Sequence, residues 1–347
     1  MGERVDEKSS TDSSPTPPPD GADSDALPFS GWWPLLAGAL TGLVLRLAFS
    51  GKPGSINSAM EASFIYLSPV IVGAITVYVA ERRRRRTWAY YASASAFANV
   101  IYVLGTLLVL IEGILCAIVI LPLFAVLGAL SGLLMGVVCR VTNWPKQALL
   151  SIGALPLVLG FVESGIPLPD RIGAVERTTV IKATPGEIWR QILNAPDIRT
   201  AEVNSAWLFR MGVPVPLAGA TQQTPDGPVR RVTMGKGIYF DEVITELQEN
   251  RYVHWLYRFH EDSFPPNTLD EHVVIGGHYF DLRDTSYTLR SKGTQTELKV
   301  RMQYRVSTRF NWYADPVARL LIGNVAEVNL EYYRRRSESA RSGETLQ

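Results

Sequence analysis

A run of basic side chains constrains this chain more than any other feature of its sequence. Five consecutive arginines follow Glu81, namely Arg82, Arg83, Arg84, Arg85 and Arg86. They lie between two long apolar stretches, and a run of charges cannot enter the hydrocarbon core of a bilayer. Short loops rich in Lys and Arg stay on the cytoplasmic side of a membrane. The run therefore predicts a short cytoplasmic loop and determines the expected orientation of the segments on either side.

The distribution of charge divides the chain into two parts. From Thr87 to Cys139 the only charged residue is Glu112, whereas charges of both signs are frequent from Arg171 onward. The first part is typical of a membrane region and the second of a soluble domain. The formal net charge of +1 argues against a nucleic-acid-binding protein, which would be strongly basic. Both cysteines lie in the apolar part, so we predict no disulfide framework in the soluble part.

Four apolar segments are each about as long as the roughly 20 residues that a membrane-spanning helix needs. They cover residues 32–50, 63–80, 88–111 and 114–138. The last two are separated by Glu112 and Gly113, which we expect to form a tight turn. Glycines recur every four residues in the fourth segment, and small residues at this spacing let helices approach closely.

A fifth apolar segment, residues 148–162, leaves the topology open. Fifteen helical residues rise only about 22 Å, against about 30 Å of hydrocarbon, and the segment contains Pro156. Extended toward Pro169 it would be a marginal span. Four spans leave the C-terminal domain in the cytoplasm, and five place it outside. We favour five spans, with a cytoplasmic N-terminus, in what we predict to be a bacterial inner membrane.

The predicted fold is thus a membrane α-helical bundle of four or five spans followed by an α+β domain. The boundaries are a disordered tail over 1–28, a transmembrane region over 29–165, a linker over 166–173, a folded domain over 174–338 and a second disordered tail over 339–347. The acidic, polar and proline-rich composition of the first tail cannot form a core.

The folded domain carries clear local signals. Thr184 and Glu187 are spaced as a capping box, and Pro185 between them suits the first position of a helix. A second short helix is predicted over residues 201–209. Strands are predicted over residues 175–182, 229–235, 238–247, 251–260, 284–291 and 294–307, the last of which alternates strictly between apolar and polar side chains. Asp315 is the predicted N-cap of a long closing helix.

This order of elements resembles the START-like helix-grip fold, in particular the polyketide cyclase/dehydrase and lipid-transport group of the SRPBCC superfamily. The residues that carry the resemblance are 180–189, 240–247 and 304–336. The resemblance implies a sheet that curls around the closing helix and leaves an apolar cavity between them. The side chains expected to line that cavity are Trp255, Tyr257, Phe259, Leu298, Val300, Met302, Tyr304, Leu320, Leu321, Asn324 and Val328. The alternative, that they fill a core, stays open, because apolar stripes are mainly core.

The sequence offers little catalytic chemistry. The densest polar group comprises His260, Glu261, Asp262, Asp270, Glu271, His272, His278, Asp281 and Asp284. Their spacing matches no metal-binding motif, so we predict no metal, no cofactor and no identifiable catalytic residue. The alternation of the strand places His254 and His260 on its outer face.

The leading functional hypothesis is noncatalytic binding of a lipid or isoprenoid-like ligand close to the bilayer, for transfer or sensing. One alternative is a cyclase- or hydratase-like enzyme, which needs a buried, partnered ionisable group in the cavity. Another is a protein-interaction module on a membrane anchor, which fits exposed side chains at Arg46 and Glu112. A buried pair of these two residues would instead favour transport. The sequence does not predict the oligomeric state.

Overall fold

The computed structural model describes residues 31–55, 57–82, 84–142, 146–163, 165–225, 227–266, 268–270 and 272–342, with the backbone alone at 146–154 and 341–342. The predicted N-terminal tail, residues 343–347, Arg83 and Glu271 lie outside the described residues. From Pro34 onward the chain forms one compact unit, and residues 1–33 form another, of which 31–33 are described.

The described N-terminal half contains five helices. They are α1 (Trp33–Ala48), α2 (Ala62–Glu81), α3 (Trp88–Leu108), α4 (Ile114–Val141) and α5 (Lys146–Glu163). Among the described residues, α2, α3 and α4 are long and apolar enough to cross a membrane. Three of the predicted four or five spans are thus candidates, and α1, with 16 residues, is shorter than these three helices.

Side-chain contacts at the helix ends establish how the helices run. Arg140 near the end of α4 donates a hydrogen bond to the carbonyl of Arg86 (2.9 Å) in the arginine loop. Glu163 at the end of α5 accepts hydrogen bonds from the amides of Ala62 and Ser63 (2.7 and 2.9 Å) at the start of α2. The end of α4 therefore lies at the arginine loop, and the end of α5 lies at the opposite end of the bundle.

Close helix packing follows the glycine spacing, as expected. A Cβ atom on Gly132 of α4 would clash with the hydroxyl of Ser95 and the backbone carbonyl of Tyr91, both on α3. A Cβ atom on Gly38 of α1 would clash with Thr76 of α2. These glycines let the helix backbones approach more closely than any larger residue would allow.

The C-terminal half is an antiparallel sheet closed by a long helix. Within the described residues the sheet has eight strands in the order β1-β8-β7-β6-β5-β4-β3-β2. The strands are β1 (Asp170–Ile181), β2 (Asn194–Ala195), β3 (Pro216–Thr224), β4 (Gly227–Met234), β5 (Tyr239–Gln248), β6 (Tyr252–Arg258), β7 (Phe280–Lys292) and β8 (Gln295–Ser307). The helices are α6 (Pro185–Leu193), α7 (Thr200–Val203), α8 (Trp207–Arg210) and α9 (Asn311–Ser342). A curled antiparallel sheet with a long C-terminal helix is the helix-grip arrangement.

Several local predictions are confirmed. The capping box forms at α6, where the Thr184 hydroxyl accepts from the Glu187 amide and the Glu187 carboxylate accepts from the Thr184 amide. In β8 the alternating residues 296, 298, 300, 302, 304 and 306 are buried. They form much of the core together with side chains of α9.

Other boundaries were wrong. Residues 170–173 of the predicted linker belong to β1, β3 was missed, and the single helix over 201–209 is instead α7 and α8. The closing helix begins at Asn311 rather than after Asp315, and it continues through 339–342 of the predicted disordered tail. Asp315 is therefore not the N-cap of this helix. Its carboxylate instead accepts a hydrogen bond from Tyr304 (2.8 Å) and pairs with Arg171 (2.8 Å).

Several polar contacts join the helix-grip domain to the bundle, and four of them show where the domain lies. The Tyr279 hydroxyl bonds to Ser58 (2.8 Å), and Asp270 accepts from the Gly113 amide (2.7 Å). The Tyr313 hydroxyl donates to the Val119 carbonyl, and Arg309 pairs with Glu163 (2.7 Å). All four bundle partners lie at or near the helix ends remote from the arginine loop. The domain therefore sits on the end of the bundle opposite to that loop.

Candidate functional site

A cavity of about 220 Å³ lies where the helix-grip domain meets the bundle. The bundle contributes aromatic side chains to its wall, among them Phe64, Tyr102 and Phe124. The domain contributes Met302 from β8 and Ile322 and Val325 from α9. The cavity is thus lined by both halves of the chain, and its wall is almost entirely apolar.

Of the side chains predicted to line a cavity, Met302 and Leu321 are in its wall. Five others, namely Trp255, Leu298, Val300, Tyr304 and Val328, are buried in the core of the domain. Tyr257 is hydrogen-bonded to Thr285 (2.7 Å), and Phe259 packs against Phe264. These seven therefore follow the alternative interpretation, in which apolar stripes fill a core.

Two residues of the closing helix do not face the cavity as predicted. Leu320 is 56% exposed, because the buried face of α9 is turned toward Leu321 and Ile322 at this level. Asn324 accepts a hydrogen bond from the Trp207 amide (2.7 Å) and so holds α8 against α9. The apolar pattern in the sequence of α9 predicts which of its residues face the core only to within about one position.

The polar end of the cavity is built around an ion pair. The Arg46 guanidinium donates to the Glu112 carboxylate (2.5 Å), and the two side chains are only 5% and 15% exposed. Arg46 also donates to the Phe49 carbonyl (2.7 Å) at the end of α1. Both charged residues are in the cavity wall. The pair is therefore buried, the arrangement that favours transport over a purely structural anchor.

Two side chains of the helix-grip domain, those of Asp270 and His272, lie close to Glu112 of this pair. A carboxylate oxygen of Glu112, one of Asp270 and a ring nitrogen of His272 all lie within 4.8 Å of one another. The Asp270 carboxylate accepts hydrogen bonds from the amides of Gly113 (2.7 Å) and His272 (2.9 Å). Carboxylate and imidazole donors at this spacing form a group that can hold a metal ion.

A second buried ion pair lies deeper in the domain and outside the cavity wall. Arg230 on β4 donates to Glu242 on β5 (2.5 Å), and the two side chains are 6% and 7% exposed. Burial raises the pKa of Glu242, and the adjacent guanidinium opposes that rise. The guanidinium also lies over the Trp255 ring. The pair is enclosed by packed side chains, so it offers no open face to a substrate.

His254 in β6 and His260, just after β6, both interact with carboxylates at the outer face of the sheet. His260 pairs with Asp241 (2.9 Å), and His254 lies 3.5 Å from Asp284. The hydrogen bond from Arg231, and to a lesser extent the one from His260, holds the pKa of Asp241 below its usual range. Both histidines face away from the cavity, as the alternation of the strand predicts.

The comparisons with known proteins are limited to structures. No family model matches the chain, and no curated protein matches it. Similar solved structures include a START superfamily protein from Mycobacterium smegmatis, with 16% identity and a TM-score of 0.31 over 48% of this chain and 98% of that one. A second is Ara h 8.0201, with 12% identity and a TM-score of 0.27 over 50% of this chain and all of that one. A third is a protein of unknown function from Staphylococcus aureus, with 11% identity and a TM-score of 0.34 over 50% of this chain and 98% of that one. Because these scores are low, the helix-grip assignment rests on the strand order and the closing helix.

Sequence reasoning missed most of the cavity wall. Phe64, Tyr102 and Phe124 resemble any other aromatic side chain of a membrane helix, and no local signal sets them apart. The polar end was anticipated only in part. The sequence suggested Arg46 and Glu112 as a possible buried pair, but His272 comes from a distant part of the chain and was not connected with them.

Proposed function

We propose that this protein is an integral membrane protein that binds a hydrophobic ligand, lipid- or isoprenoid-like, for transfer or sensing. The observation that carries the proposal is the apolar cavity lined jointly by the helix-grip domain and the helices. A ligand that leaves the bilayer can enter a cavity of this kind without first crossing water.

The dimensions of the cavity limit what it holds. Its volume of about 220 Å³ is below the range of about 300–1,000 Å³ that is usual for drug-sized ligands. A short chain, or one segment of a longer one, would fit. Each buried methylene contributes about 0.8 kcal/mol, so even four of them would contribute about 3 kcal/mol before entropic costs.

The two ends of the cavity wall also differ in polarity. Phe64, Phe124 and Met302 offer only apolar contact, whereas Arg46, Glu112 and His272 are polar and lie together. An amphiphile would place its polar end at these three side chains and its apolar body among the aromatic rings. We therefore favour a ligand with one polar end over a pure hydrocarbon.

Native mass spectrometry of the full chain, purified gently in detergent or nanodiscs, tests the proposal. The full chain is required because half of the cavity wall belongs to the helices. We expect a co-purifying mass in the lipid range on the unmodified protein. Leu321→Trp should fill part of the cavity and remove that mass. Leu320→Trp, on the exposed face of the same helix, should retain it.

Two results would contradict ligand binding. One is a clean protein mass that lipid extract does not shift. The other is equal retention of the co-purifying mass by both tryptophan variants, which would place the lipid on the outer surface of the protein.

An enzyme is the second candidate, because the cavity wall includes buried, partnered ionisable groups at its polar end. A cyclase- or hydratase-like reaction on a membrane-derived substrate would use His272 or Glu112 as acid or base. The same spectra, with chromatography of the extracted ligand, separate the two functions. A ligand that changes in mass, as in hydration, or in retention at constant mass, as in cyclisation, and no longer changes in His272→Gln, supports catalysis, whereas an unchanged ligand supports binding alone.

A further inference from the structure

We propose that Glu112, Asp270 and His272 form a binding site for a divalent transition-metal ion at the polar end of the cavity. The site joins the turn between α3 and α4 to the segment between β6 and β7. It requires no ligand in the cavity, so it stands independently of the proposed function.

The donor atoms are close to the spacing that a metal ion needs. They lie within 4.8 Å of one another. In a tetrahedral site with donors about 2.1 Å from the ion, neighbouring donor atoms are about 3.4 Å apart. Rotations of the three side chains would have to close this difference.

The histidine supplies an observation beyond the proximity of acidic groups. Nδ1 of His272 is buried, and it has no hydrogen-bond partner among the described residues. A buried polar atom without a partner is unfavourable and calls for an explanation. An ion bound at Nδ1 would supply the partner that this atom lacks.

The two carboxylates are already held in place. The amides of Gly113 and His272 donate to the two oxygens of Asp270, and Arg46 donates to Oε1 of Glu112. Each arrangement leaves lone pairs for a further cation. Hydrogen bonds of this kind orient metal ligands and raise affinity. Two carboxylates and one guanidinium leave a net charge of −1, which a divalent cation would reverse to +1.

Three protein ligands leave an ion with an open coordination position, as in catalytic rather than structural zinc sites. Here Glu112 and His272 are both in the cavity wall. If the proposed function holds, the open position faces the polar end of the bound amphiphile. A mixed imidazole and carboxylate set suits Zn²⁺ or Mn²⁺, whereas Mg²⁺ prefers oxygen donors alone.

The test is a titration of Zn²⁺ into the full chain in nanodiscs, purified without a histidine tag and stripped with chelator. Calorimetry and elemental mass spectrometry should both show one tightly bound equivalent. His272→Ala and Asp270→Asn should each weaken binding at least tenfold, since even the loss of a group that merely orients a metal ligand costs about 10- to 100-fold. His260→Ala is the matched control, because it removes a histidine at the outer face of the sheet.

Absence of a bound equivalent in the unmodified protein would overturn the proposal. So would equal losses in His272→Ala and His260→Ala, or unchanged affinity in both ligand variants. If His272→Ala fails to unfold cooperatively on heating, Asp270→Asn decides alone, because asparagine still accepts the Gly113 hydrogen bond. Lipid retention measured on the stripped protein shows separately whether the proposed function stands.

Discussion

At the scale of single residues, one guanidinium holds the two halves of the chain together. Arg309, between β8 and α9, lies 2.7 Å from the Glu163 carboxylate and 3.8 Å from that of Glu61. The phenol group of Tyr279 also interacts electrostatically with the Glu61 carboxylate, but only weakly. Burial, and then the neighbouring Glu163 carboxylate, raise the pKa of Glu61 to about 7, and Arg309 lowers it by less than these two effects raise it. Two carboxylates that share one cation cannot both ionise freely.

This arrangement predicts that stability falls as pH rises. The ordinary pKa of a glutamate is 4.5, so the folded chain keeps a proton on Glu61 in a range where the unfolded chain has lost it. The associated stability is complete below about pH 4.5 and is lost as pH rises through about 7. The melting temperature of the full chain should therefore drop between about pH 5 and pH 8.

Glu61→Gln should remove most of this drop, because glutamine stays neutral throughout. We expect it to stabilise the protein at pH 8 by about 1–2 kcal/mol, which allows for solvent screening. Glu327→Gln is the control, since it removes a carboxylate from an exposed pair with Arg177. A melting temperature of Glu61→Gln that follows the unmodified protein at every pH would contradict the assignment.

At the scale of elements, the contact between α3 and α4 depends on the absence of side chains. Gly132 lies against Ser95 and the Tyr91 carbonyl, whereas a Cβ atom on Gly105 of α3 would meet no atom within 4 Å. The contact buries Tyr91, Ser95 and Asn99. Membrane helices associate mainly by packing of this kind, because lipid tails are as apolar as leucine side chains.

The two glycines are therefore expected to respond in opposite ways to alanine. Gly132→Ala forces the helices apart and should destabilise the protein by about 1–3 kcal/mol, the usual cost of overpacking. Gly105→Ala meets open space and gains helix propensity, so its stability should be unchanged or slightly higher. Thermal unfolding in detergent measures both. Equal stability of the two variants would show that the backbones are not in close contact.

At the scale of the whole molecule, α5 decides where the helix-grip domain lies. The helix begins on the side of the arginine loop and ends at the start of α2, where Glu163 accepts two amide hydrogen bonds. Its 18 residues rise about 27 Å, close to the hydrocarbon thickness. Val158, Phe161 and Val162 are all more than half exposed, as side chains that face lipid would be. The predicted topology of five spans with an extracytoplasmic domain requires α5 to cross the membrane, and it stays a prediction.

Reporter fusions after Arg140 and after Asp170 test this topology. A fifth crossing places the two reporters on opposite sides, with the first in the cytoplasm beside the arginine loop. Both reporters on the same side would rule out the crossing and place the domain in the cytoplasm. A fusion after Arg86 is the control, and it should report the cytoplasm in either case.

The sequence by itself determined most of the elements, although not β3 or the start of α9. The five apolar helices, the capping box of α6 and the alternation of β8 were all predictable, because each depends on residues that are neighbours along the chain. Propensity, caps and periodicity act over a few residues, so a linear sequence encodes them directly. Where the local signal was ambiguous, as at Asp315, the tertiary contacts with Tyr304 and Arg171 gave the side chain another partner.

Tertiary structure alone decided the site. Arg46 and Glu112 are 66 positions apart, and Gly113 and Asp270 are 157 apart. Which distant faces meet is settled by packing summed over the whole molecule, and no local pattern specifies it. The same holds for the rotation of α9, which exposes Leu320 and turns Leu321 into the cavity. The cavity that the resemblance implied between the sheet and the closing helix shares only Met302 and Leu321 with the observed one, and only the fold could show that helices of the bundle form part of its wall.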